Sequence, residues 1–298
     1  MHKGLGGLRK INIAYWYILP ALFLFIFFIL IPLILETYIA LSETVPGQVG
    51  LLSTNFVGLK NVLVLLNDPN YIKSLVNTFI FLVVNINVKM AMALLVALAL
   101  NRGFVGKRLA MALLIIPWAM PEVPYYLAWR FLYHADFGFL TYLFDTLLGY
   151  SPNWLGDSRI ALYSVMVAHV FKYVPFWTLI FLAALQSIPV EIYDATKVDG
   201  ADAWKTFRYI TLPLIKNIVI INYTLSFVWM LGEFNSVWIL TQGGPNYASH
   251  LIASYAYVKT FLLLEWNNGA AAFIIVLPII MVLITLVLRG GLLRLGGG

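Results

Sequence analysis

Six stretches of this 298-residue chain are each long and apolar enough to cross a lipid bilayer, and no other feature limits its folding so severely. The hydrocarbon core takes about 20 mostly apolar helical residues to span. Inside it every backbone N–H and C=O must be satisfied within the protein, which leaves helices and closed barrels as the spanning structures. The stretches run roughly over Tyr15 to Leu41, Ile72 to Leu100, Leu109 to Tyr133, Ile160 to Leu185, Leu214 to Leu240 and Ala270 to Leu288. They predict an all-α membrane protein of six transmembrane helices. Proline recurs within them, at Pro20, Pro32, Pro117, Pro121, Pro124, Pro175 and Pro278, which predicts tilted, kinked helices in a bundle. Apolar residues make up 62% of the chain and charged ones 11%, against about 45–50% and 25% in soluble proteins, which excludes a disordered chain and argues against a soluble one. No loop is long enough to bury a core of its own, so residues 1–298 read as one membrane domain without a soluble catalytic unit.

The basic residues give the orientation. Lys3, Arg9, Lys10, Arg102, Lys107, Arg108, Lys197, Lys205, Arg208, Arg289 and Arg294 fall on one side of a six-span topology, against Lys60, Lys73, Arg159 and Lys259 on the other. Cytoplasmic loops hold the excess of Lys and Arg, so both termini are expected in the cytoplasm of a multi-pass protein. The net charge of +6 follows from that placement and points to the bilayer rather than to nucleic acid. The first apolar run is about twice the length of a signal-peptide core and ends in no small-residue cleavage pattern, so it is expected to remain as an anchor. Met1 to Asn12 reads as an amphipathic surface segment, and Gly290 to Gly298 as a loose tail.

Catalytic signatures are absent. There is no cysteine, and His2, His134, His169 and His250 have no metal-ligand spacing. Neither a G-x-S-x-G elbow nor a G-x-x-x-x-G-K phosphate loop occurs, so no ATP site is expected in this chain. The run T-Q-G-G-P from Thr241 to Pro245 lacks the lysine of a phosphate loop and reads as a turn at the outer end of the fifth span.

The loop from Ile188 to Pro213, between spans four and five, carries more information. Pro189 can open a helix, Glu191 and Asp194 suit its first turns, and Gly200 permits a sharp change of direction before a second short helix through Trp204, Phe207 and Ile210. Pro213 is expected to open the next span. Trp204 and Phe207, three apart, form a knob able to fill a cleft in another protein. The alternative is a membrane-lying connector that keeps its aromatics in lipid.

In these residues the chain resembles the six-helix sugar permeases of bacterial and archaeal ATP-driven (ABC) importers, and within them the larger maltose-type subunit. The family's E-A-A-x-x-x-G loop is matched by Asp194, Ala195, Thr196 and Gly200, then by Asp199 to Ala201, Trp204, Phe207, Ile210, Thr211, Leu212 and Pro213. Asn77 and Thr78, Pro117 to Pro121, Leu185 to Pro189 and Thr241 to Pro245 extend the likeness over nearly the whole chain. Aspartate stands at Asp194 where glutamate is usual, Thr196 replaces a small residue, and the large external domain of the maltose prototype is lacking. The resemblance implies a type I importer permease in the cytoplasmic membrane. Its implied partners are a second homologous permease, two cytoplasmic ATPase subunits that carry ATP and Mg, and an extracytoplasmic sugar-binding protein. It also implies that Glu191, Asp194, Ala195, Thr196, Asp199, Gly200, Ala201, Trp204 and Phe207 couple this chain to an ATPase subunit.

Ionisable residues in a span are costly and normally face a cavity or a partner, which draws attention to Glu36, Lys89, Glu122, Arg130, His169, Lys172 and Glu233. Arg130 and Lys172 are read as snorkelling or as neutralising an acid, and Glu36 and Lys89 as close enough to span ends to be wetted. Ser226, Trp229, Met230 and Glu233 fall at i, i+3, i+4 and i+7 on the fifth span, His169, Tyr173 and Phe176 share a face of the fourth, and Trp118 and Glu122 are four apart on the third. Flat aromatics that stack on sugar rings, beside carboxylates that accept from hydroxyls, suit carbohydrate. The resemblance places the sugar contacts at Trp118, Glu122, His169, Tyr173, Phe176, Ser226, Trp229, Met230 and Glu233. Helix packing alone is the competing reading of these aromatics. Two carboxylates favour a neutral sugar; were Lys172 or Arg130 in the cavity, a phosphate ester would fit too. Functional rivals are an ion-coupled carrier and an intramembrane enzyme using Glu122, His169 and Glu233.

Overall fold

The computed structural model describes residues 14–44 and 54–278, with the single positions 281 and 285. Helix α1 (Trp16–Ala40) is followed by an antiparallel ribbon of β1 (Ser42–Thr44) and β2 (Thr54–Phe56), in which Ser42 pairs with Phe56. Next come α2 (Lys60–Leu66) and α3 (Pro69–Asn101). Pro69 sits at the first position of α3, and Asp68 caps it by accepting the N–H of Asn70 at 2.8 Å. Then follow α4 (Lys107–Ala119), α5 (Glu122–Leu132), α6 (Phe139–Leu148) and α7 (Ala161–Gln186). The chain continues through α8 (Val190–Val198), α9 (Ala203–Leu214), α10 (Lys216–Leu231), α11 (Asn235–Leu240), α12 (Ile252–Tyr257) and α13 (Trp266–Ile274).

Three of these helices, α1, α3 and α7, are continuous and long enough to cross a bilayer. The third and fifth stretches differ from the expected single helices. The third is broken into α4 and α5 at an angle of 97°. The fifth starts at Lys216 after a 68° bend, because α9 runs through Pro213 instead of ending before it, and it stops at Leu231. Of the sixth stretch, α13 covers the start; its remainder lies mostly outside the described residues, as do Met1 to Asn12 and Gly290 to Gly298.

Helices α3 and α7 form the most extensively packed pair. Fully buried Ala93, Ala97, Ala161 and Ala168 let their backbones approach closely, as small residues do between membrane helices, and Phe81, Val165, Trp177 and Phe181 fill the remaining space. The apolar window of α1, by contrast, is exposed throughout, which suits a helix surrounded by lipid. A second core of Ala40, Leu65, Tyr71, Tyr255, Ala256, Ala271 and Ala272 ties the end of α1 and the start of α3 to α2, α12 and α13. The loop at Thr241 to Pro245 is a turn, as expected, with Gln242 and Gly243 at positive φ. Asn77 holds the segment after it, donating to the carbonyls of Tyr247, Ala248 and His250, each at 3.1 Å, while Thr78 accepts from the N–H of Ile252 at 2.9 Å.

Candidate functional site

Polar side chains gather where the two helices break. An α-helical carbonyl is normally answered by the N–H four residues on. For Pro117 that residue is Pro121 and for Met120 it is Pro124, and neither has an N–H to give. The backbone turns into extended geometry at Met120 and Pro121 and restarts as α5 at Glu122. Lys172 on α7 answers both orphaned carbonyls, its Nζ lying 2.7 Å from Met120 O and 3.3 Å from Pro117 O. This buried lysine is therefore not snorkelling and forms no ion pair among the described residues, and it also meets the negative end of the α4 dipole. Trp118 and Glu122 lie on opposite sides of the break rather than on one face.

Glu122 occupies the first turn of α5, where unpaired N–H groups favour a carboxylate. One of its oxygens accepts the Tyr173 hydroxyl at 2.5 Å and the other accepts the Asn235 side-chain amide. The second break spans Gly232 to Phe234. Glu233 sits in it, not at i+7 on the helical face of Ser226. It accepts the N–H of Ser236 at 2.9 Å and faces His169, with its Oε2 3.5 Å from Nε2. The other imidazole nitrogen lies 3.1 Å from Asn85 Oδ1, and the Phe81 ring meets the imidazole edge-on at 5.3 Å. Both of those residues come from a π-helical turn, Phe81–Asn85, within α3.

Lys89 is not at a wetted span end. It lies 12 residues before the end of α3, a rise of about 18 Å, and only 2% of it is exposed. Its Nζ is 3.1 Å from Met230 Sδ and sits over the rings of Tyr173 and Trp177 at 5.7 and 5.8 Å.

These groups line a cavity of about 260 Å³, walled by Lys89, Glu122, His169, Tyr173, Trp177, Trp229, Met230, Gly232, Glu233, Phe234 and Asn235. Six of the nine expected contacts are among them: Glu122, His169, Tyr173, Trp229, Met230 and Glu233. Trp118 and Phe176 stand one layer back, stacked on each other at 5.3 Å, with Phe176 5.4 Å from Trp229. Ser226 is buried beneath Met230, its Oγ 3.7 Å from the sulfur. Lys89, Trp177, Gly232, Phe234 and Asn235 line the cavity without having been among the expected contacts. Trp177 continues the His169, Tyr173 face at i+8, a signal visible in the sequence. A larger groove of about 660 Å³ between α1, α12 and α13 is mostly apolar, with polar groups in its lining from the exposed Glu36 and from Tyr257 and Thr260. Among the described residues no cluster of three His, Cys, Asp or Glu is placed to hold a metal ion. Arg130 is remote from these contacts, its Nη1 reaching Ile239 O at 3.5 Å.

The loop between α7 and α10 folds as a helix–turn–helix. Glu191 lies in the first turn of α8, and Asp194 pairs with Lys197 at 2.8 Å on its exposed side. Gly200, at φ 71°, ends α8: its own N–H reaches Lys197 O at 3.1 Å and the N–H of Ala201 reaches Thr196 O at 3.0 Å, the paired bonds of a left-handed helix stop. Asp199 is the last helical cap and Ala195 is exposed on the same short helix. Asp202 caps α9 by accepting the N–H of Lys205 at 2.7 Å. Trp204 and Phe207 lie 5.8 Å apart, with 69% of Trp204 exposed.

Residues 89–294 match the family described as "Binding-protein-dependent transport system inner membrane component". The chain is 32% identical to the trehalose/maltose transport system permease protein MalF of Thermococcus litoralis over 287 residues, 96% of each chain. It is also 32% identical to the sn-glycerol-3-phosphate transport system permease protein UgpA of Yersinia pestis over 231 residues, 77% of this chain and 78% of that one. Among solved structures, a chain of a bacterial alginate ABC transporter in complex with an alginate pentasaccharide-bound periplasmic protein shares the fold at a TM-score of 0.80. It is 18% identical, over 93% of each chain.

Proposed function

The chain belongs to the family of binding-protein-dependent transport system inner membrane components, and from that membership we propose that it builds half of the pathway by which an importer admits a neutral sugar or oligosaccharide. It is an ABC transporter permease, a multi-pass membrane transport subunit and not an enzyme. The observation that carries the substrate class is the cavity at the two helix breaks. Trp229 and Tyr173 offer flat faces, while Glu122, Glu233 and Lys89 offer acceptors and a donor. Lys89 offsets only part of the charge of the two carboxylates, so negative charge alone does not carry the case for a neutral ligand. It rests on hydroxyl chemistry: a sugar hydroxyl can accept from an ammonium and donate to a carboxylate at once, whereas an anion gains one neighbour and is repelled by two. The name of the Thermococcus relative points the same way.

In this reading the partners are a second permease, two ATPase subunits holding ATP and Mg, and an external sugar-binding protein, with no cofactor in this chain. All six spans form one domain with both termini in the cytoplasm, and residues 188–212 dock on an ATPase subunit through Trp204 and Phe207. The test is reconstitution. With all partners present, proteoliposomes should accumulate labelled maltose or trehalose only when ATP is supplied, with neutral sugars competing and phosphorylated ones not. The purified chain alone should hydrolyse no ATP. Uptake by the lone chain driven by a proton gradient would sink the proposal.

A further inference from the structure

The two carboxylates of the cavity already hold protein donors: Glu122 those of Tyr173 and Asn235, Glu233 that of the Ser236 N–H. Lys89 is different. An ammonium has three donors, and among the described residues this one meets a single acceptor, the Met230 thioether at 3.1 Å, which accepts weakly. It forms no ion pair among those residues, so Glu233 attracts it without binding it. The indole N–H of Trp177, in the same wall, has no acceptor among the described residues either. Buried donors without acceptors are costly, and Lys89 is kept in the middle of a span. A lysine that served only to neutralise Glu233 would sit against its oxygens. This one is aimed into the cavity beside two aromatic faces.

We infer that Lys89 is a specificity-determining residue of this permease, donating hydrogen bonds from its ammonium to a hydroxyl or ring oxygen of the transported saccharide. This rests on the reading of the cavity as a saccharide site and gives its one ammonium the choice among sugars. The ligand oxygen supplies the acceptor that the protein withholds. The same hydroxyl can pass its own proton toward Glu233 or Glu122, so an ammonium between carboxylates selects for neighbouring hydroxyls of defined stereochemistry.

The test uses the assembled importer with its binding protein in proteoliposomes. Uptake is measured for maltose, trehalose, sucrose and cellobiose, then for monodeoxy analogues of whichever the wild type carries. Lys89→Met should raise KM roughly 10- to 100-fold, the value of a hydrogen bond from a charged donor, with a much smaller change in maximal rate. Lys89→Gln, which keeps a donor without the charge, should fall between and replaces the methionine variant if that one fails to assemble. One monodeoxy analogue should lose affinity in the wild type and lose no more in the variant, because both changes delete the same bond. Additive losses for every analogue, or a lower maximal rate at unchanged KM for every sugar, would overturn the assignment of Lys89 and leave it a packing role. If the wild type carries none of the sugars, the saccharide reading itself fails, and the inference with it.

Discussion

Replacing Lys172 by methionine removes one side chain and strands two carbonyls. Pro121 and Pro124 deny Pro117 O and Met120 O their helical N–H partners, and Lys172 Nζ supplies both at 3.3 and 2.7 Å. A hydrogen bond from a charged donor contributes roughly 1.5–3 kcal/mol, and measured values inside membranes run lower, so the pair is worth about 2–4 kcal/mol. At roughly 2–4 °C per kcal/mol for a chain of this size, Lys172→Met should lower the melting temperature by roughly 5–10 °C. Intrinsic tryptophan fluorescence of the purified importer reads the transition. Lys172→Arg keeps the donors and should lose far less. Pro121→Ala restores an N–H opposite Pro117 O, so the methionine penalty should shrink in that background. A Lys172→Met protein melting within about 1 °C of wild type, or an equal penalty with and without Pro121, would show that the break is held by something else.

In the coupling loop, a side chain at Gly200 meets open space but a φ of 71°, so the strain is about 1–2 kcal/mol of backbone alone. Gly200→Asn should keep the ATPase subunit through co-purification, whereas Gly200→Asp adds charge beside the docking knob and should, like Phe207→Ser, lose it together with uptake. Retention with normal uptake in both refutes the docking role. Burial pushes the His250 ring down to about 4, while the unfolded residue titrates near 6.5. The folded state thus resists protonation, stability should fall as pH drops from about 6.5 toward 4, and His250→Asn should flatten that limb of a melting-temperature profile. Burial works to raise the Asp68 carboxyl, but the Tyr255 hydroxyl at 2.6 Å, the Asn70 N–H and Lys259 outweigh it and hold it below the usual range. Its contribution is present above about 4 and lost at lower pH, a further acid loss that Asp68→Asn should abolish.

The apolar runs made the bundle legible, because only helices satisfy a backbone in lipid. Gly200 likewise announced the turn it makes, since a left-handed helix stop is local chemistry. The two broken spans were visible only in part. Pro117, Pro121 and Pro124 signalled a kink, but the carbonyls orphaned there are answered by Lys172, a residue 48 or more positions away that no periodicity connects to them. Glu233 fell on the expected face by count and reached the cavity by another route, from the break after Gly232, where its carboxylate accepts the N–H of Ser236. Lys89 was misplaced although the apolar run already set it 11 residues from its end: a lysine in a span was expected to find water, and instead it is buried against Met230, Tyr173 and Trp177, which come from other helices.

The most direct measurement is a structure of the assembled importer holding a transported sugar. The expected result is a saccharide ring against Trp229 and Tyr173, with hydroxyl oxygens within hydrogen-bond reach of Glu233 and Lys89. A sugar bound elsewhere in the pathway, leaving Lys89, Glu122, His169 and Glu233 with the partners they have here, would contradict the assignment of this cavity and reduce it to a packed interface between helix breaks.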